Sequence, residues 1–360
     1  MKSLLKLFNS TLCLIIFYSC QNNEKLQISR GNEFVSSYNK EINTIEIFDT
    51  ASFIYIPLET NGKCLIGEIN KVIIDDNLIF VMDNQFANCL YVFDINGRFI
   101  SQIGKQGKGN NEYNRIIDFD INPVDNEIVI YDLNRRSLLF FNYQGEFLNH
   151  ELLKEYCGMT LAFLAKKSYA FYLHEKIGNC DWQLVIYKNG ERLNKRLFPF
   201  VNQVSPLLMP DYFSRNDSGI FFIPVNYDEI YRISPEGDII KAYDFELQSL
   251  FEKKLNEPKN NTHVNHLTNF ESLKVNNKGQ FFCWTSYDNN VIQIFGNLSN
   301  SRLKYGTKFS DFDNRPEEII GIYGDYFISV FYPYVSSLRN RFPNSEKDEN
   351  PGILLFKINL

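Results

Sequence analysis

The sequence predicts an all-β fold made from one repeated hairpin unit, and three observations carry that prediction. Aromatic residues make up 15 % of the 360-residue chain, with 32 Phe and 21 Tyr. Rings of this kind favour strands, where they pack on a pleated surface. Six apolar stretches of strand character then recur along the chain, each followed after a short polar break by a second one. Finally, the second members of the first four pairs run into turns holding Gly97, Gly145, Gly190 and Gly237, which are 48, 45 and 47 residues apart. A period in the forties with several strands per unit is the mark of a β-propeller blade. A small sheet cannot bury its apolar faces alone, whereas similar sheets stacked around an axis bury them all. Together these features predict a six-bladed β-propeller with four-stranded antiparallel blades.

The first 20 residues, MKSLLKLFNSTLCLIIFYSC, stand outside that fold. Lys2 and Lys6 give a positive start and Leu12 to Tyr18 a short apolar run. This is the layout of a secretory signal peptide, too short and too polar around Asn9 to span a membrane. Its Ser19–Cys20 ending resembles a bacterial lipoprotein signal, which implies lipidation of Cys20 and anchoring to the outer membrane, facing the periplasm or the surface. Phe17 and Tyr18 stand where Leu and a small residue are usual, so a plain cleaved signal with a chance Cys is the alternative. Residues 21–42, opening with QNNEK, form a tether and lead-in, and residues 43–360 form the propeller.

Within the propeller, TIEIFDT and SFIYIPLE (44–59) precede the first full pair, while ILLFKINL ends the chain. A strand within 43–57 that completes the C-terminal blade ties the ring shut and removes a sheet edge. Blade 1, about 65–112, holds LIFVMD (78–83) and LYVFD (90–94). Blade 2, about 113–156, holds EIVIYD (127–132) and LLFFN (138–142). Blade 3, about 157–204, holds SYAFYL (168–173) and LVIYK (184–188). Blade 4, about 205–246, holds GIFFIP (219–224) and EIYRIS (229–234). Blade 5, about 268–308, holds GQFFCW (279–284) and VIQIF (291–295). Blade 6, about 317–360, holds DYFISVF (325–331) and ILLFKI (353–358). Between blades 4 and 5, Leu247, Leu250, Phe251 and Leu255 are spaced as one face of a short helix ended near Pro258, a helical insertion at about 247–267. A polar excursion at 333–352 interrupts blade 6.

The stretches IYIPLET, LIGEI, IFVMD, VFDINGRFISQIGKQGKGNNEY and DFDI resemble the six-bladed, NHL-like β-propeller lipoproteins of Bacteroidetes. The resemblance covers nearly the whole chain after the signal and is strongest from 54 to 132. It implies a fold and an exported address, and no established chemistry. Family members usually carry GxGPGEY where this chain has GKGNNEY; Asn110 and Asn111 still suit a turn because Asn tolerates positive φ. Gly104, Gly107, Gly109, Glu112 and Tyr113 are accordingly expected to form the structural turn between blades 1 and 2. A phosphate loop would need the GxxxxGK[ST] pattern followed by a helix, whereas EYNRIIDFDIN alternates like a strand.

Charge and reactive residues narrow the function. Loss of Lys2 and Lys6 with the signal takes the formal charge from −6 to −8, which argues against nucleic acid or anionic lipid headgroups as the main partner. Cys64, Cys89, Cys157, Cys180 and Cys283 contain no CxxC, so no metal or redox cofactor is expected. Buried free thiols are the expectation, with a Cys157–Cys180 bridge as the alternative. The histidines are His150, His174, His263 and His266; the last two have i,i+3 spacing but no third ligand nearby. Asp83 and Asp132 occupy matching positions in blades 1 and 2, where other blades carry Leu173, Pro224, Trp284 and Phe331 or Tyr332. That pattern fits turn capping better than a metal ring. No Ser/His/Asp set or GxSxG elbow can be assembled. DTA at 49–51 resembles a Bacteroidetes O-glycosylation site on Thr50. The function expected is that of a non-catalytic envelope lipoprotein. It would bind a protein, peptide or glycan through a propeller face or scaffold an envelope complex, as a monomer or a subunit. The alternative is a metal-dependent lactonase- or lyase-like hydrolase at the central channel.

Overall fold

Six antiparallel sheets stand side by side around a central axis in the computed structural model. It describes residues 29–30, 44–154, 158–173, 181–189, 191–192, 197–200, 212–245, 270–287, 290–306, 308–309, 316, 318–333, 338, 340–342 and 349–360. Two short strands, β1 (Ser29–Arg30) and β2 (Thr44–Ile45), precede β3 (Phe48–Ile56). Blade 1 then holds β4 (Lys71–Asp75), β5 (Leu78–Asp83), β6 (Cys89–Asp94) and β7 (Phe99–Ile103). Blade 2 holds β8 (Ile116–Asn122), β9 (Glu127–Asp132), β10 (Ser137–Asn142) and β11 (Phe147–Leu152). Blade 3 holds β12 (Thr160–Ala165), β13 (Ser168–Tyr172) and β14 (Trp182–Lys188), with β15 (Glu191–Arg192) and β16 (Leu197–Pro199) sharing the outer side of β14. Blade 4 holds β17 (Ser214–Asn216), β18 (Gly219–Phe222), β19 (Glu229–Ile233) and β20 (Ile239–Asp244), with β1 parallel to β20. Blade 5 holds β21 (Glu271–Val275), β22 (Gln280–Tyr287), β23 (Asn290–Asn297) and β24 (Asn300–Gly306), and β25 (Lys308–Phe309) pairs with β2. Blade 6 holds β26 (Ile319–Tyr323), β27 (Tyr326–Phe331) and β28 (Gly352–Ile358).

The predicted closure is present. Strand β3 lies antiparallel on β28, with Ile56 opposite Ile353 and Tyr55 opposite Leu354, so the first full strand completes the last blade. Its span is shorter than the predicted 43–57, because β28 ends at Ile358 opposite Phe48 and Thr44–Ile45 pair with β25 instead; within it the register shifts between Leu355 and Lys357. There the Asp49 carboxylate accepts the Ala51 amide and Ser52 Oγ donates to the Asp49 carbonyl, which pulls the chain off the ladder.

The core lies between blades. In β5, Ile79 and Val81 pack towards blade 6, while Phe80 and Met82 pack towards blade 2. In β9, Ile128 and Ile130 face blade 1, and Val129 and Tyr131 face blade 3. Successive side chains of a strand point to opposite faces, and here both faces are covered. That is why these strands read as continuous apolar runs.

The repeating glycines mark the turn between the third and outer strands. Gly97, Gly145 and Gly237 have φ of 81°, 84° and 87°, a region an L side chain rarely enters. In each turn a polar side chain caps amides: Asp94 accepts from Asn96 and Arg98, Asn142 from Glu146, and Ser234 from Glu236 and Asp238. Gly190 lies outside the described residues, as do the signal with Cys20, the insertion predicted at 247–267, and Cys157 and Cys180. Cys64, Cys89 and Cys283 are free thiols, and burial pushes the Cys64 and Cys283 thiols up. Among the described residues no helix is long and apolar enough to cross a membrane.

Candidate functional site

Antiparallel blades give the disc two unlike faces. The turns from inner to second strand and from third to outer strand lie on one of them. The other, the loop face, receives the blade-to-blade connections and the loops between second and third strands.

On the loop face, Asp83 and Asp132 end β5 and β9 and are both fully buried. The Asp83 carboxylate accepts the backbone N–H groups of Gly67 at 2.8 Å, Glu68 at 3.2 Å and Phe86 at 2.8 Å. Asp132 accepts those of Asn114 at 2.5 Å and Arg135 at 3.2 Å. Each carboxylate thus ties its own loop to the chain entering its blade, which satisfies amides that would otherwise be buried without partners.

The stretch between blades 1 and 2 is laced from within. Tyr113 N–H donates to the Lys105 carbonyl, and Gly107 N–H to the Tyr113 carbonyl. Glu112 accepts the Gly109 N–H at 2.8 Å and meets Lys105 Nζ at 3.0 Å. Chiefly the Gly109 amide, and then Lys105, hold the Glu112 carboxyl below its ordinary value. Gly104 has φ of 60°, and a Cβ there would meet the Phe141 ring at 2.9 Å. A Cβ on Gly107 would meet the Glu112 carboxylate at 1.9 Å, so glycine makes the room that carboxylate fills. Tyr113 is buried in the core between blades 1 and 2. Arg135 closes the loop from the neighbouring turn, donating to the carbonyls of Gly109 at 2.9 Å and Glu112 at 2.5 Å.

Around the axis, residues of the six inner strands line a cavity of about 620 Å³. Inner strands have a free edge facing the axis, so their amides need partners. Asp118 accepts the Leu161 N–H at 2.8 Å, and Asp120 accepts the Phe163 N–H at 2.7 Å. Ser214 Oγ does the same for Val275 at 2.8 Å. Two of these acids also hold cations. Lys71 Nζ lies 2.9 Å from Asp118, with both side chains buried, and Arg215 Nη2 lies 2.6 Å from Asp120. Arg215 reaches from blade 4 past blade 3, donating also to the Phe163 carbonyl.

None of these axial groups was singled out by sequence. Asp118 and Asp120 are the acids of the DFDI stretch, read there only as part of the family resemblance, and Arg215 lies 95 positions from Asp120. Among the described residues, no three His, Cys, Asp or Glu side chains converge as metal ligands. His150 sits on the exposed outer strand β11 opposite Leu139, far from the axis in the blade order. His174, His263 and His266 lie outside the described residues. Thr50 lies in the displaced stretch of β3, its carbonyl accepting from Arg341.

The profile of a domain of unknown function, DUF4934, matches residues 26–357. The chain belongs to the DUF4934 family. The DUF4934 propeller is similar to the crystal structure of a "putative exported protein" from Bacteroides fragilis, with a TM-score of 0.71 and 16 % identity over 91 % of this chain and 99 % of that one. A member of the DUF4221 family from Bacteroides vulgatus follows, with a TM-score of 0.51 and 12 % identity over 89 % and 99 % of the two chains. Virginiamycin B lyase from Staphylococcus aureus reaches a TM-score of 0.41 at 9 % identity over 84 % and 98 %, a level that carries no argument about chemistry. At these identities the likeness shows the fold alone. No curated protein matches the chain.

Proposed function

We propose that this DUF4934 propeller is an exported, lipid-anchored binding module that holds a protein or peptide partner on its loop face without catalysing a reaction. Cys20 carries the lipid, and the residues between it and β1 on blade 4 tether the disc to the outer membrane. The name of the similar Bacteroides fragilis protein supports export. One observation supports the binding surface. Phe86 is 73 % exposed at the tip of a turn that the buried Asp83 carboxylate holds through its own amide. The ring base packs on Gly67, and Leu65, two residues away, is 59 % exposed. A rigidly presented ring with an aliphatic neighbour loses little entropy on docking and suits an apolar pocket on a protein better than a sugar face.

Two measurements test this. The full chain should sediment with membranes, and Cys20→Ala should release it; a variant that still sediments would sink the anchor. Leu65→Asp with Phe86→Asp should abolish co-purification of the partner cross-linked in native membranes, at an unchanged melting temperature. Retention of that partner would move the binding surface elsewhere.

A further inference from the structure

We propose that the axial cavity is a binding site for a small molecule bearing a carboxylate on an apolar body, and that Arg215 is its anchor. The balance of donors and acceptors around the cavity leads there. Its acids already accept hydrogen bonds. Asp120 Oδ1 takes the Ile121 N–H at 2.9 Å, and its Oδ2 takes Phe163 N–H and Arg215. Asp75 takes the Tyr143 hydroxyl at 2.7 Å, and Asp217 takes the Asn277 amide.

The guanidinium is different. Only its Nη2 is engaged, on Asp120 and the Phe163 carbonyl. The buried Nε has no hydrogen-bond partner, and Nη1 makes none among the described residues. The side chain is nonetheless 32 % exposed where it lines the cavity. The cavity therefore holds an open donor, Nη1, on a planar cation. A ligand must bring an acceptor to the open Nη1, and a carboxylate oxygen makes a charge-assisted bond there. Ile74, Ile121, Ala162, Phe213 and Ile220 supply apolar wall, so the rest of the ligand is apolar. The cavity volume falls within the range of roughly 300–1,000 Å³ typical of small-molecule sites.

Two sources share this chemistry, a fatty acid and the C-terminus of an apolar amino acid or dipeptide. Calorimetric titration of the mature chain with octanoate and leucyl-leucine, each against octanamide, separates them. At least one acid is expected to bind at least tenfold more tightly than the amide. Tighter binding of the dipeptide would assign its ammonium to Asp75 and Asp217; tighter binding of octanoate would assign the fatty-acid source. Arg215→Gln should reduce the favoured acid to the level of the amide, while Arg215→Lys should retain part of the preference. Because Arg215 also holds Asp120, a second measurement avoids the mutation: a diazirine analogue of octanoate should label cavity-lining residues of the wild-type chain. Equal binding of acid and amide, no binding by either acid, or labelling confined to other surfaces would overturn the proposal. Phe86→Asp should leave the titration unchanged, so this test and the test of the loop face fail separately.

Discussion

The turns of blade 1 and blade 2 on the loop face are built by one device and put to different ends. In both, a buried Asp at the end of the second strand accepts the amide three residues on and an amide of the incoming connection. The residue that owns the capped amide is Phe86 in blade 1 and Arg135 in blade 2. Arg135 spends its guanidinium on two carbonyls of the preceding connection and seals the seam between blades 1 and 2. Phe86 makes no such seal and stands in solvent. The backbone device sets where the side chain emerges; the side chain decides whether the turn closes a seam or offers a surface.

The comparison breaks first at its shared element. Asp83→Ala orphans three amides and should cost about 3 kcal/mol, and Asp132→Ala, with two, about 2 kcal/mol, both read from urea unfolding. Equal costs would mean that the amides find water once the carboxylate is gone. Next comes the seal itself. Arg135→Phe, which writes the blade 1 residue into blade 2, should cost roughly 1–2 kcal/mol for two lost hydrogen bonds. Amide exchange should speed up across residues 104–113 and stay unchanged in blade 4. Uniform exchange would show that the guanidinium does not tie that loop.

A third acid sharpens the contrast, because it is half-buried without enough compensation. Burial, and then Asp228 and Asp244, push Glu229 in blade 4 from its ordinary 4.5 up to about 7, with Lys241 only partly opposing them. The folded chain therefore holds a proton there, between about pH 4.5 and 7, that the unfolded chain has released. Its contribution makes stability fall as pH rises through that window and then level off. Glu229→Gln should be more stable than the parent at pH 8 by about 1–2 kcal/mol, discounted for partial solvent screening, with the gap closing by pH 4.5. A gap that persists at low pH would assign the gain to packing.

The differing legibility of these features has a physical basis. Strand runs such as LIFVMD and EIVIYD were readable because both faces of each strand are buried, which leaves no polar alternation to mislead. Gly97, Gly145 and Gly237 were readable because a turn of positive φ restricts residue choice. Asp83 and Asp132 were recognisable as caps since each accepts one amide from its own turn, Phe86 and Arg135 three residues away. The axial pairs were not. Lys71 and Asp118 are 47 positions apart, and Arg215 and Phe163 are 52, so their meeting follows from ring closure and no local pattern announces it. Phe86 was equally silent, as one of 32 phenylalanines in strands and loops alike. Its exposure depends on where the Asp83 cap aims the turn.

The smallest expected effect is the most telling about that ring. A Phe kept for stability would lose several kcal/mol on truncation, as buried aromatics do, on the order of 3–5 kcal/mol. Phe86 is 73 % exposed, and the atoms closest to Gly67 are its Cβ and the root of the ring, so Phe86→Ala keeps the nearest contact. Its cost in urea unfolding should stay under about 0.5 kcal/mol, the range of ordinary surface substitutions. Gly67→Ala should instead remain costly in both backgrounds, since the added Cβ meets the Phe86 Cβ at 2.7 Å whether or not the ring is present. A near-neutral Phe86→Ala beside a damaging Gly67→Ala would separate the two jobs, with the close backbone approach serving the fold and the ring serving contact with another molecule. A Phe86→Ala cost above about 1 kcal/mol would return the ring to the fold and leave the loop face without its anchor.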